Sequence, residues 1–144
     1  AEGAVCFVAR RDDEFVGFLW LQQDAYQEDE VRCRFVLAPP GRAAWDFDVH
    51  VEPAFRIGRA FARLWEAANA HLRERGVEWS LSRISAFNPD SVRAHERMRS
   101  RRIGGGVFVC AGPLQLALLD RAPYAHVSWR DASFPVLRLD AGAA

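Results

Sequence analysis

The chain contains no lysine. All 19 of its basic residues are arginines, and 19 acidic residues balance them to a formal net charge of +0. A neutral chain lacks the positive field that drives non-specific attachment to a phosphate backbone, so nucleic acid is excluded as the default partner. Cysteine is scarce too: Cys6, Cys33 and Cys110 are odd in number and far apart. That arrangement favours buried free thiols over a disulfide frame or a zinc knuckle, and with them a reducing cytosol. No apolar run reaches the roughly 18 residues needed to span a bilayer, and the N-terminus shows no charged region followed by an apolar core. Together these absences predict a soluble, cytoplasmic protein with no membrane partner.

What is present is hydrophobic. Half of the 144 residues are apolar and 12% are aromatic, enough to bury roughly 68–70% of the unfolded surface in one self-supporting core. The expectation is a single domain over residues 1–144. No internal repeat, low-complexity tract or linker divides it.

The most informative stretch runs from Trp45 to Gly76. Asp46, Asp48, His50 and Glu52 alternate with Trp45, Phe47, Val49 and Val51, a period of two that predicts a strand with one ionisable and one apolar face. Pro53 stops that strand and Gly58 frees the backbone. Phe61, Leu64, Trp65, Ala68 and Leu72 then recur at helical spacing until Gly76 ends the run. A helix N-terminus is thereby set beside a row of acid-base groups. That row could be a solvated face, could ligate a metal, or could hold and deprotonate an amine; no other His, Cys or acidic cluster is spaced to complete a metal shell.

Around this unit the chain alternates strands and helices. Val5–Ala9 and Phe15–Leu21 form a hairpin signal across the polar turn at residues 10–14. An acidic stretch from Asp24 to Glu30 precedes a strand ending at Leu37, and Pro39-Pro40-Gly41 closes it. Beyond Gly76, Val77–Phe87 reads as the strand returning from the helix, which makes a parallel crossover unit with its ligand site beyond the strands' carboxyl ends. Asn88-Pro89 reads as a helix start, with Ser91, Ala94, His95 and Met98 on one face. Val107–Ala111 and Leu114–Leu119 form a closing hairpin, and the apolar tail packs as a last strand or lid.

At Val51-Glu52-Pro53, Arg56, Gly58 and the helix that follows, and again at Asn88, Ser91 and His95, the chain resembles the GCN5-related N-acetyltransferase (GNAT) family over about Phe15 to Val109. Gly58-Arg59-Ala60 matches the second half of that family's pyrophosphate-binding turn, and Asn88, Ser91 and His95 match its downstream spacing. Departures accompany the match. Phe55 holds the position of a basic residue with Arg56 displaced by one, the turn has one glycine, and Arg99 stands where glycine usually follows the second helix.

The resemblance implies an α+β fold, a GNAT-like mixed, twisted β-sheet with a central crossover helix and a second helix, lacking the usual N-terminal helices. It also implies acetyl-CoA as acyl-donor cosubstrate in a V-shaped gap between the central strand and the strand after it. In that scheme Arg56, Ile57, Gly58, Arg59 and Ala60 hold the pyrophosphate, Val49 and Val51 offer main-chain partners to the pantetheine arm, and Asn88 and Ser91 contact the cofactor. His95 takes the place of a tyrosine that protonates the leaving thiolate. Asp48, with His50 second, is the expected base that deprotonates the amine, although a bulge in this strand could exchange its faces.

The implied function is an N-acetyltransferase acting on a small-molecule or peptide amine by direct attack on the thioester; homo-oligomerisation is left open. Two other classes compete with it: a non-catalytic acyl-CoA-binding or sensor domain with the same fold, and a structural partner-binding module.

Overall fold

The computed structural model describes residues 3–56, 58–130 and 132–142. The chain forms two compact units, one from residues 1–25 and 37–82, the other from residues 26–36 and 83–144.

The first unit holds a four-stranded sheet and one helix. Strands β1 (Val5–Arg11) and β2 (Glu14–Gln23) form the expected hairpin, and the expected central strand is β5 (Ala43–Val51). The helix is α1 (Ala60–Glu74), and the returning strand β6 (Trp79–Leu81) completes the order β1-β2-β5-β6. Leu64, Trp65, Ala68 and Leu72 are the buried face of α1, as their spacing predicts. They pack on Leu19 and Leu21 of β2, Ala44 of β5 and Val77, with Phe7, Val49 and Phe61 at the margin. Each such large side chain removed from water contributes about 1.5–3 kcal/mol, which is what holds the helix to the sheet.

The predicted strand Val77–Phe87 is corrected to three residues. Only Trp79–Leu81 pairs, in parallel, with Ala43–Trp45. Beyond Trp45 the β6-side edge of β5 has no ladder partner among the described residues. The sheet edge therefore opens between these two parallel strands beyond Trp45.

The second unit carries β3 (Ala25–Gln27), β4 (Arg34–Ala38) and β10 (Val136–Asp140) in the order β10-β4-β3, a second sheet β7 (Gly106–Ala111), β8 (Leu114–Leu119) and β9 (Ala125–Trp129), and helix α2 (Pro89–Arg97). The expected hairpin at 107–119 and the expected final strand are both present. So is a strand inside the acidic stretch that reads as a loop.

Two polar anchors tie this unit together. Gln115, fully buried, accepts from the Arg32 N–H and donates to the Arg32 carbonyl, both at 2.7 Å. Arg83 binds Glu28 at 2.9 Å and also Glu30. Burial alone would lower the Arg83 pKa, but its hydrogen bonds and charge contacts with the two glutamates outweigh that and raise it.

All three cysteines are free. Burial, reinforced by the Glu28 charge, pushes the Cys33 thiol up to about 12, so it is inert at neutral pH. Cys110, expected to be buried, is exposed. Among the described residues no helix is long and apolar enough to cross a membrane.

Candidate active site

The polar row of β5 does not stay on one face. Opposite β2, Trp20 pairs with Phe47 and Phe18 with His50, so two residues of β5, Asp48 and Val49, stand against the single Leu19 of its partner. The extra residue is a bulge, and Asp48 takes the left-handed conformation there, φ 51°. Aspartate is among the few residues that adopt this conformation readily.

The consequence is an exchange of faces. Before the bulge, Ala44 packs towards α1, and Asp46 shares its side of the strand; after it, Val49 reaches the same core. His50 moves to the opposite face beside Phe47, where it stacks on Phe18 with centroids 5.8 Å apart while Phe47 stacks on Trp20 at 6.0 Å. The expectation that Asp46, Asp48, His50 and Glu52 share one ionisable face is therefore corrected: the alternation is sound on each side of Asp48 but not across it.

The four groups differ accordingly. Asp46 is buried, and its carboxylate accepts from the Ser80 hydroxyl of β6 at 3.3 Å. Asp48 is exposed, and its charge adds to burial in raising the Cys6 thiol on β1. His50 is half-buried with Nε2 3.3 Å from Glu52 Oε1. In the tautomer whose Nε2–H donates to Glu52, Nδ1 carries the lone pair and can accept a proton. Among the described residues no group of three or more His, Cys, Asp or Glu side chains is gathered to hold a metal.

Sequence reasoning missed Gly17. It pairs with Val51, and a Cβ there would meet the His50 carbonyl oxygen at 2.3 Å and Val51 Cα at 3.0 Å. Only glycine lets β2 lie this close to the bulged end of β5. The available signal was an isolated glycine in the middle of an apolar strand.

Past the bulge the chain turns through a 3-10 segment, Pro53–Phe55, into α1. Arg56 folds back, its Nε donating to the Val51 carbonyl at 2.8 Å. That carbonyl, an expected partner for a pantetheine arm, is thus already engaged by one donor. Ile57 lies outside the described residues. Gly58 and Arg59 are exposed, and a Cβ at Gly58 would meet only the Phe55 carbonyl at an ordinary 3.8 Å. Packing within the protein does not demand glycine there; the backbone does, at a φ of 159° that L side chains rarely adopt. Arg59 occupies the N-cap position of α1 without a side-chain cap, and no acidic residue sits in the first turn. An uncapped helix N-terminus flanked by two arginines favours an anion.

The remaining predicted residues belong to the second unit. Asn88 is the N-cap of α2, its Oδ1 accepting from the Ser91 N–H at 3.1 Å. The Ser91 carbonyl lies 2.8 Å from His95 Nδ1. Nδ1–H as donor to that carbonyl fixes the ring's orientation on the helix. His95 is buried, as its helix face predicts. Arg99, at the position where the resemblance expects glycine, adopts φ 62°, the left-handed conformation glycine would favour.

Comparison with known proteins bears on the frame as a whole. No curated protein matches the chain. Among solved structures, the aminoglycoside N-acetyltransferase AAC(6')-Iy in complex with CoA aligns with a TM-score of 0.61 at 18% identity, covering 77% of this chain and 78% of that one. An aminoglycoside acetyltransferase from an uncultured soil metagenomic sample, in complex with sisomicin, gives 0.54 at 13% identity over 77% and 68%. The ribosomal-protein-alanine N-acetyltransferase of Brucella melitensis biovar Abortus 2308 gives 0.55 at 16% identity over 76% and 72%. At these identities the likeness is one of fold. The model of the acetyltransferase (GNAT) family matches residues 1–99. That match takes in the bulged strand, the uncapped turn and both helices, and on it the chain belongs to the GNAT acetyltransferases, a family whose acyl donor is acetyl-CoA.

Proposed function

We propose that the chain is an N-acetyltransferase that moves an acetyl group from acetyl-CoA to an amine by direct attack on the thioester, with residues 1–144 serving as one acyltransferase domain. The observation that carries this reading is the uncapped start of α1. It follows the bulged strand whose β6-side edge is open, and Arg56 and Arg59 flank it. The pyrophosphate of CoA rests there on the N–H groups of Gly58 to Ala60; Ile57, expected to join them, lies outside the described residues. Each charge-dipole contact is worth about 0.3–1 kcal/mol, rising to ~2 when partly buried. Val49 and Val51 supply main-chain partners to the pantetheine arm. Asn88, whose oxygen caps α2, offers its amide N–H groups, and Ser91 completes the cofactor contacts.

The chemistry asks for one base and one acid. The base takes a proton from the acceptor's ammonium, the nitrogen lone pair forms the new bond to the thioester carbon, and the carbon–sulfur bond breaks. The acid returns a proton to the departing thiolate. Asp48 and His50 are the candidate bases. The Glu52 contact supports His50, because a carboxylate beside Nε2 orients the ring. His95 is the acid, its ring held in place through Nδ1 on the Ser91 carbonyl.

The acceptor is a cationic amine, small-molecule or peptide. An aminoglycoside acetyltransferase and a ribosomal-protein-alanine acetyltransferase both lie among the chain's fold neighbours. The test is CoA thiol release from acetyl-CoA across a panel of aminoglycosides, polyamines and peptide N-termini. Amine-dependent release that falls in His50→Gln supports catalysis; acetyl-CoA binding without release from any amine makes the chain a sensor instead.

A further inference from the structure

We propose that the hollow between the β8–β9 turn and β10, within the second unit, is a binding site for a small organic carboxylate with an apolar body. Its volume is about 500 Å³, inside the range of small-molecule sites. The ionisable groups that line it are Arg121, His126 and Arg138, and no carboxylate lines it. The rest of the wall is apolar, chiefly Pro123, Phe134, Pro135 and Val136.

The two arginines are placed differently. Arg121 is anchored: its Nε donates to Asp120 Oδ1 at 3.1 Å, and its guanidinium also donates to the Ile103 carbonyl. Asp120 is held in turn, with Oδ2 accepting from the Gly105 N–H at 2.7 Å. The Arg121 charge is therefore offset before any ligand arrives. Arg138 is not offset. It stands at an exposed position of β10 between Val136 and Asp140, with no hydrogen bond or ion pair among the described residues. Asp140 bends back on its own chain, Oδ1 accepting from the Gly142 N–H at 3.0 Å. His126 Nδ1 lies 3.2 Å from the hydroxyl of the fully buried Ser128, which orients the ring and leaves Nε2 without a partner among the described residues.

That arrangement selects the ligand's class. One uncompensated guanidinium matches one negative charge, and its planar fork pairs with a carboxylate through two parallel hydrogen bonds. The wall sets the second requirement. Phe134 and Val136 remain 37% and 42% exposed beside the cation; an apolar body laid over them leaves water favourably, whereas a bare inorganic ion covers neither. Pro123 and Pro135 have no side-chain rotamers to lose when a ligand settles, so that part of the wall is formed in advance. All of these residues lie beyond residues 1–99, and the site is independent of the acyl-transfer reading.

The test is titration of the full chain with hexanoate, phenylacetate and indoleacetate, followed through backbone amide shifts by NMR. At least one acid is expected to saturate the signals of His126 and Arg138 with a Kd of about 1 mM or below, ordinary for ligands of roughly ten heavy atoms. Arg138→Gln should weaken that binding by at least about tenfold, while Arg97→Gln, an exposed arginine on α2, should not. Phenylacetamide needs no substitution and so covers a variant that misfolds; without the negative charge it should bind at least about tenfold more weakly than phenylacetate. Absence of saturable shifts at these residues up to about 20 mM of every acid overturns the proposal. So does unchanged affinity in a folded Arg138→Gln chain, or an amide that binds as well as the acid. Inorganic phosphate binding as tightly as the best acid would overturn it too, because the apolar wall would then play no part.

Discussion

At the start of α2 the Asn88 side chain caps the helix, whereas α1 begins at Arg59 with no side-chain cap at all. Both ends carry residues that match the family pattern, yet they answer different needs. In α2 the asparagine, the serine three residues on and the histidine four beyond that are joined through local bonds, Asn88 to Ser91 and Ser91 to His95. A helix of this sequence would adopt that spacing whether or not it met a cofactor. The start of α1 shows no side-chain cap; Arg56 is engaged by the Val51 and Pro53 carbonyls, while Arg59 and an unobstructed glycine stand exposed beside the helix end. A motif residue that the fold already employs is weak evidence of function; one that the fold leaves unemployed is strong evidence.

The largest effect that would sharpen this contrast lies on β5. His50→Gln should lower turnover by about 10²–10⁴-fold with little change in acetyl-CoA affinity, as measured by steady-state kinetics and calorimetry. Asp48→Asn with the greater loss would move the base to the bulge itself. Next comes the glycine that permits the bulge. Gly17→Ala sets a Cβ against the His50 carbonyl and should cost about 1–3 kcal/mol, read as a lower denaturation midpoint. An unchanged midpoint would mean that β2 and β5 separate without penalty.

Asn88→Ala tests the other helix. Losing the cap should cost ~1 kcal/mol of stability. If the side chain only caps, acetyl-CoA affinity stays as it was; a tenfold loss would show that its amide also meets the cofactor. The smallest effect is a gain. Arg99 sits at φ 62°, and Arg99→Gly should raise stability by about 0.5–1 kcal/mol, visible as a higher melting temperature.

Much of this was legible in the chain. The periodicity of Phe61 to Leu72 gives α1 and its buried face, and Asn88-Pro89 gives the start of α2 and its cap. What the sequence hides is local. Alternation from Trp45 to Glu52 is unbroken on paper, and nothing in a period of two announces that Asp48 takes an extra step and carries His50 to the other face. The return strand ends after Leu81, where the alternation of Val77, Trp79 and Leu81 stops at Arg83, a side chain that pairs with Glu28 and Glu30 instead. On β8 both alternating sets, Leu114-Leu116-Leu118 and Gln115-Ala117-Leu119, are largely apolar, so the period could not tell the inward side from the outward.

The central claim is that acetyl-CoA is held by the turn that starts α1. Its most direct test is calorimetric titration of acetyl-CoA into the wild type and into Gly58→Trp, whose indole would fill the open space above the turn, with Gly58→Ala as the control for the backbone strain that any side chain meets at φ 159°. The account predicts saturable binding to the wild type and a loss of at least about 100-fold, or ~2.7 kcal/mol, in the variant. Equal affinity in a folded variant would contradict it.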